Sequence, residues 1–438
     1  MKQPVLIIAY YWPPAGGPGV QRWLKFVTYL PDHGYDVTVV IPENPDYPVT
    51  DDSLLSQIPS HVTFIKVPIN EPSRWSSALS RNLPAGRQGV VKNLQKGILP
   101  KNPGIVQKSL IWLRGNLFIP DARVGWKSRV LKAIHPYLLK HKSPTVITTG
   151  PPHSVHLVGL ELKQKYSGFK WLADFRDPWT TIGYHKHLQL GERAQKKHVK
   201  LEQQVLDTTN LLLVTSPSTG KEFASKTSTP IQLITNGYDI PEASSTIQPK
   251  GKFTLSHVGT LLSDRNPQLL WESLADLCRD DAIFKSRLEL QLAGNVSNEV
   301  LESIESYGLQ SNLKQLGYVS HQQAVDLMYD SQCLLLIEIN SEDTKSIIPG
   351  KIFEYFASRR PIIAIGPQDA DIEQLIIHTH SGRFFNYSEK EQLKSYLLNC
   401  YERYVNGNNE GNTSDSITMY RRKNLTAVLH KTIQYAWE

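Results

Sequence analysis

The feature that most limits the fold is a set of short apolar runs that do not alternate. Val5 to Ala9 reads VLIIA, Val37 to Ile41 reads VTVVI, Leu211 to Val214 reads LLLV and Cys333 to Ile337 reads CLLLI. A strand with one wet face alternates apolar and polar residues, whereas a strand of a parallel sheet covered by helices on both sides need not. Each run ends in a loop rich in glycine, proline or charge, and a stretch with helical spacing follows. After the first run, Val20, Trp23, Leu24, Val27 and Leu30 recur at intervals of three and four. Strand, loop, helix and strand in this order open a doubly wound α/β domain. Thr145 to Thr148, Lys170 to Ala173 and Ile231 to Thr235 are further strands of this series. Phe253 to His257 then restarts the pattern, followed by Leu288 to Ala293 and Pro361 to Ile365.

A chain of 438 residues exceeds one core and suits two domains of roughly 200 residues each. The polar, proline-bounded PEASSTIQPKGK at 241–252 is the expected linker. It separates a domain over 1–240 from one over 253–415, and 416–438 holds a terminal helix that crosses back to the first domain.

Composition, 40% hydrophobic and 20% charged, is that of a soluble globular protein. The three cysteines, Cys278, Cys333 and Cys400, have no paired short spacing, which argues against a disulfide framework or zinc site and for a reducing cytoplasm. MKQPVLIIAYYWPP is too short in its apolar run for a signal peptide and reads as a first strand. No run reaches the roughly 20 apolar residues of a membrane helix. Residues 73–142 stand apart. They hold fourteen Lys or Arg against a single acid, Asp121, in a chain whose formal charge is +7, with Trp75, Trp112, Phe118 and Trp126 interleaved. An anionic membrane surface or a lipid-linked acceptor fits this mixture; nucleic acid is disfavoured because no nucleic-acid motif accompanies the charge.

Three loops carry candidate chemistry. Tyr10 to Gly19 contains Gly16, Gly17 and Gly19, whose spacing matches neither the dinucleotide fingerprint nor the Walker A pattern. Gly150-Pro151-Pro152-His153-Ser154 and Asp174-Phe175-Arg176-Asp177 follow strands, where loops line the ligand crevice of an open α/β sheet. His153, Asp174, Arg176 and Asp177 form one candidate wall, with His153 as a proton carrier or acceptor hydrogen-bond donor and Asp177 as a further catalytic candidate; Ser154 is a good N-cap. The third loop, Ile347 to Gly350, runs into a short helix, Lys351 to Ser358, and then a buried strand. Backbone N–H groups and the positive dipole end at such a helix start suit an anion. Lys351 and Glu354 share one face there, one able to meet a phosphate and the other to accept from sugar hydroxyls. No metal site is expected: His185 and His187 lack a third ligand at useful spacing, and Asp369 and Asp371 are better read as acids at a helix start.

The stretch IIPGKIFEYFASRRPIIAIG resembles the donor-binding segment of glycosyltransferase family 4, retaining enzymes of the GT-B fold, in which Lys-x-x-Glu at this helix start holds a nucleotide-sugar. The resemblance extends in order through the Gly16–Gly17 loop, LEQQVLDTTNLLLVTS, Asn236-Gly237-Tyr238-Asp239 and the Val258 to Pro267 loop. It implies two doubly wound Rossmann-like domains facing a central cleft. It further implies that Glu354 binds the ribose, Arg265 and Lys351 neutralise the donor diphosphate, and the backbone near Val319 meets the nucleobase. By the resemblance the Gly16–Gly17 loop lies beneath donor phosphates and acceptor, and either Glu342 or Asp343 or the backbone N–H groups of Ile347 to Gly350 serve the sugar. The chain departs from the family at Ser346, where a Glu is usual, with Glu342 or Asp343 as replacement acids. It departs again at Thr260, where an Arg is usual, and at Arg176, where a His is usual.

The expected function is therefore a retaining, metal-independent, cofactor-free transfer of a sugar from a nucleotide-sugar to a saccharide or lipid-linked acceptor in envelope polysaccharide synthesis. The protein is expected in the cytoplasm, peripheral at the inner membrane surface. The alternatives are a nucleotide-sugar 2-epimerase of the same fold and a non-catalytic carbohydrate or nucleic-acid binding protein derived from a transferase.

Overall fold

The computed structural model describes residues 2–71, 105–182, 188–242, 251–408 and 411–438. Much of the basic segment (72–104, including the Pro84–Gly89 loop), His185, His187 and most of the 241–252 linker lie outside the described residues. The chain folds as two units, one of Met1–Asn236 with Arg422–Glu438 and the other of Gly237–Arg421.

The first unit is built on a seven-stranded parallel sheet in the order β3-β2-β1-β4-β5-β6-β7. Its strands are β1 (Gln3–Ala9), β2 (Tyr35–Pro42), β3 (Thr63–Val67), β4 (Thr145–Gly150), β5 (Lys170–Phe175), β6 (Leu211–Val214) and β7 (Ile231–Leu233). The apolar runs behave as their lack of alternation requires. Val5 and Ile7 face one core with Val20, Trp23, Leu24 and Val27 of the helix Pro18–Tyr29. Leu6 and Ile8 face another with Val130, Ile134, Val158 and Leu162. The first core also takes Leu425, Leu429 and Ile433 from the last helix, Arg422–Tyr435. That helix starts later than the periodicity from Ile417 suggests, because Asp415–Tyr420 forms a separate 3-10 turn.

The second unit repeats the plan with six parallel strands in the order β10-β9-β8-β11-β12-β13. These are β8 (Phe253–Val258), β9 (Leu288–Ala293), β10 (Leu313–Gly317), β11 (Cys333–Ile337), β12 (Ile362–Gly366) and β13 (Gly382–Asn386). Its first and last segments are joined at a border. Tyr238 N–H donates to the Tyr420 carbonyl at 3.0 Å, and Glu242 accepts from Tyr238 Oη, Arg359 and Arg421 at 2.5, 2.8 and 2.7 Å. These bonds put residues from Gly237 onward in the second unit, ahead of the expected 241–252 boundary.

In both units the third strand in sequence ends up at one edge and the fourth pairs with the first. The order reverses between β1 and β4 in one unit and between β8 and β11 in the other, and such reversals open a crevice at the strands' carboxyl ends. Among the described residues, no helix is long and apolar enough to cross a membrane.

Candidate active site

The loops after β8 and β11 and the helix Lys351–Ser358 converge at the second unit's reversal point. Six of that helix's eight residues are buried, Ile352, Phe353 and Phe356 in the core. Lys351 and Glu354, half-buried, are its two open positions. Gly350 is the N-cap and already has helical angles (φ −56°, ψ −31°), and Ile348 is half-buried against the same core. The Lys351 ammonium lies 3.3 Å from His257 Nε2. A Cβ on Gly259, where φ is +120°, would come within 3.1 Å of Lys351 Nζ, and one on Gly294 within 2.3 Å of the Gly259 carbonyl. Glycine at both positions lets the loop backbone approach the lysine, and φ above zero strains any other residue there.

Arg265 donates to Glu338 at 3.2 Å, and the Glu338 side chain is 2% exposed. Burial pushes the Glu338 carboxyl up, while Arg265 and Lys351 oppose the shift. Lys351 is pushed down to about 8, because burial disfavours its ammonium; Glu338 raises it and Arg265 lowers it further. Burial, with Lys351 beside it, holds His257 neutral, well below the usual histidine range. Two cations thus share one buried carboxylate, and the buried Arg265 Nε has no partner among the described residues. The cluster has positive charge to spare and can accept an anion.

Glu338 and His257 were not singled out from the sequence. His257 sits inside the apolar run of β8 and Glu338 directly follows that of β11, so each read as part of a strand. A charged residue at the carboxyl end of a buried strand beside the reversal point is the signal that was available. Glu342, one of the two expected replacement acids, pairs with Lys345 at 2.8 Å and is 83% exposed. Val319 is half-buried beside the exposed Tyr318, just before a helix whose N-cap Ser320 forms a capping box with Gln323. Asp371 and Glu373 fall in the first turn of the helix Asp371–Thr379.

In the first unit the polar groups are committed to one another. Asp174, fully buried, accepts from Arg22 at 2.9 Å, Trp23 Nε1 at 2.7 Å and Thr149 Oγ1 at 2.8 Å. Arg176 donates to the Gly150 carbonyl at 3.2 Å and to the Pro151 carbonyl. Its guanidinium fills the space a side chain on Gly19 would need, since a Cβ there would stand 1.5 Å from it. Gly17 is the N-cap of the Pro18–Tyr29 helix with φ +109°. Gly16 N–H donates to the Val49 carbonyl at 3.0 Å, tying the loop to 49–51. His153 is buried and stacked on Trp179, with centroids 5.1 Å apart and planes 2° from parallel. Asp177 is pushed up by burial, which Arg176 opposes and Asp174 assists. Ser154 is not the helix cap the sequence suggested. A 3-10 turn, His153–Val155, precedes the helix, and Asp121 accepts from Ser154 N–H and Oγ–H at 2.8 and 2.7 Å. The single acid of the basic segment is thereby spent on a helix start.

The two sheets together define the GT-B glycosyltransferase fold. Among solved structures, HepE from Anabaena, in complex with UDP and glucose, is 14% identical, with a TM-score of 0.60 over 99% of this chain and 100% of that one. Sucrose-phosphate synthase from Thermosynechococcus elongatus is 13% identical, with a TM-score of 0.58 over 100% of this chain and 99% of that one. WaaG, a glycosyltransferase involved in lipopolysaccharide biosynthesis, is 14% identical, with a TM-score of 0.52 over 99% of each chain. No protein-family model and no curated protein sequence matches. The likeness is therefore one of fold.

Proposed function

We propose that the protein is a retaining, metal-independent glycosyltransferase that moves a sugar from a nucleotide-sugar to a saccharide or lipid-linked acceptor of envelope polysaccharide synthesis. The observation that carries this reading is the pair of cations, Lys351 and Arg265, held around one buried carboxylate at the second unit's reversal point. Solved neighbours of the same fold contain UDP, UDP-glucose or UDP-2-fluoroglucose. In the proposed reaction Lys351 and Arg265 stabilise the leaving diphosphate, where positive charge lowers the barrier most directly. Glu354, on the open face beside Lys351, accepts from the ribose hydroxyls. Backbone around Ile348 and Gly350 serves the sugar, and that near Val319 the base. The acceptor attacks on the face the diphosphate leaves and its proton passes to a phosphate oxygen, so configuration is retained. Gly16, Gly17, His153 and Asp177 are assigned to the first unit's part in acceptor binding.

The basic segment suggests where the acceptor is held. Its described part includes the helix Ile105–Leu117, on which Trp112, Leu113 and Leu117 are 48%, 40% and 64% exposed. Apolar side chains among Lys and Arg favour peripheral contact with anionic lipid. Co-sedimentation with anionic vesicles at low salt and release at high salt is the expected result; absence of co-sedimentation removes the membrane from the proposal.

A thermal-shift screen of UDP-, GDP-, ADP- and CMP-sugars tests the donor reading, since a ligand well above its dissociation constant stabilises by a few kcal/mol. One nucleotide-sugar should raise the melting temperature, and Lys351→Ala and Glu354→Ala should each reduce the shift, Lys351→Ala the more. One observation favours the non-catalytic alternative: Arg176, standing where the family has a His, is tied to two backbone carbonyls. Donor binding without turnover on any saccharide or lipid-linked acceptor would establish that alternative.

A further inference from the structure

Cys333 and Cys400 are far apart in sequence but meet in the second unit, one at the start of β11 and the other in the helix Lys390–Val405. Both are reduced and at least nine-tenths buried. The two thiols are neighbours, with Tyr396 beside Cys400. They line a cavity of about 20 Å³ together with Gln332, Arg360, Arg403 and Asn408, enough for one water-sized molecule. Gln332 is 6% exposed, and its buried Nε2 has no hydrogen-bond partner among the described residues. An amide donor without a partner, on a cavity with two thiols and two guanidinium groups, marks a place for a small polar oxygen compound. The neighbouring Cys333 lowers the Cys400 thiol below its ordinary value against the opposing effect of burial, and Arg403 and Tyr396 lower it further. An electropositive setting favours the thiolate, which is the nucleophilic form of a cysteine. Cys278, by contrast, is pushed up to about 11 by burial.

We propose that Cys333 and Cys400 are a reversible thiol–disulfide pair oxidised by a small hydroperoxide admitted to this cavity. The Cys400 thiolate attacks one oxygen of hydrogen peroxide. The O–O bond breaks, an S–O bond forms, and hydroxide leaves with the electron pair, giving the sulfenic acid. The Cys333 sulfur then attacks the Cys400 sulfur, an S–S bond forms, and the hydroxyl leaves as water with the Cys333 proton. A dithiol reductant reverses the change by exchange. Gln332 and the two arginines orient the peroxide. The disulfide would fasten the Lys390–Val405 helix to β11.

The test uses the full chain and mass spectrometry after hydrogen peroxide treatment, with alkylation of remaining thiols under denaturing conditions. The expected product has lost two hydrogens, contains a Cys333–Cys400 cross-linked peptide, leaves Cys278 free for alkylation and is restored by dithiothreitol. In Cys333→Ser, a dimedone adduct should accumulate on Cys400. In Gln332→Leu, cross-linking should slow several-fold. Absence of the cross-link in the folded wild type, or oxidation of Cys278 at the same rate, overturns the proposal without reference to any variant.

Discussion

The two reversal points are alike in topology and opposite in chemistry. Around β1, β4 and β5 the central charges are answered: Asp174 takes three donors and Arg176 is bound by two carbonyls. Around β8 and β11, among the described residues, Arg265 is paired with Glu338, Lys351 lies beside neutral His257 with Glu338 as the acid that raises it, and Lys351 is held near 8. The same strand order therefore produces a polar network that fixes the loops in one unit and an under-neutralised cationic cluster in the other. The fold supplies the crevice, and the side chains at the strand ends decide whether it is filled from within or left for a ligand.

Substitutions break this comparison in different currencies. Asp174→Ala strands Arg22 in the core, and breaking a buried pair in this way costs about 3–5 kcal/mol; urea unfolding should show a loss of that size. Lys351→Met removes a cation that burial already disfavours, so unfolding should change by less than about 1 kcal/mol. Nucleotide affinity, read by calorimetry, should instead fall by about 1.5–3 kcal/mol, as for a lost charged hydrogen bond. An equal stability loss from both substitutions would erase the contrast.

The pH dependence sharpens it. Lys351 carries its proton below about 8 and loses it as pH rises through that value. Anion affinity should be steady below pH 7 and decline above 8, by at most about tenfold per unit, and Lys351→Met should remove the decline. Glu354→Ala should cost less than Lys351→Met, about 1 kcal/mol in donor affinity, because it removes hydrogen bonds rather than a phosphate contact. A smaller effect concerns the border of the second unit. Glu242 is held down to about 2: burial raises it, but bonds from Arg421, Tyr238 and Arg359 outweigh that. Its contribution is complete above the ordinary carboxylate value of 4.5 and is lost as pH falls towards about 2. Glu242→Gln should flatten acid unfolding in that window.

The sequence made the central strands plain and left three of the four edge strands unread, β7 being the exception. VLIIA and CLLLI are buried on both faces, so their periodicity is unambiguous. TFIKV, LKQLG and GRFFN, which form β3, β10 and β13, mix exposed and buried positions without a clean period, because an edge strand is only partly covered. Lys351 was legible because loop chemistry precedes it at a helix start, whereas Arg265 was named only through the resemblance. Glu338 and His257 were hidden by the apolar residues around them. The meeting of Cys333 with Cys400 depends on the Lys390–Val405 helix returning to β11, which no local pattern encodes.

The central claim is that the second unit's reversal point is an anion site built on Lys351. Calorimetric titration of UDP into the wild type and into Lys351→Met at pH 7, with unfolding followed in parallel, tests it most directly. The account predicts measurable binding by the wild type and at least a tenfold loss in an equally stable variant. Equal affinity in both proteins, each fully folded, would contradict it.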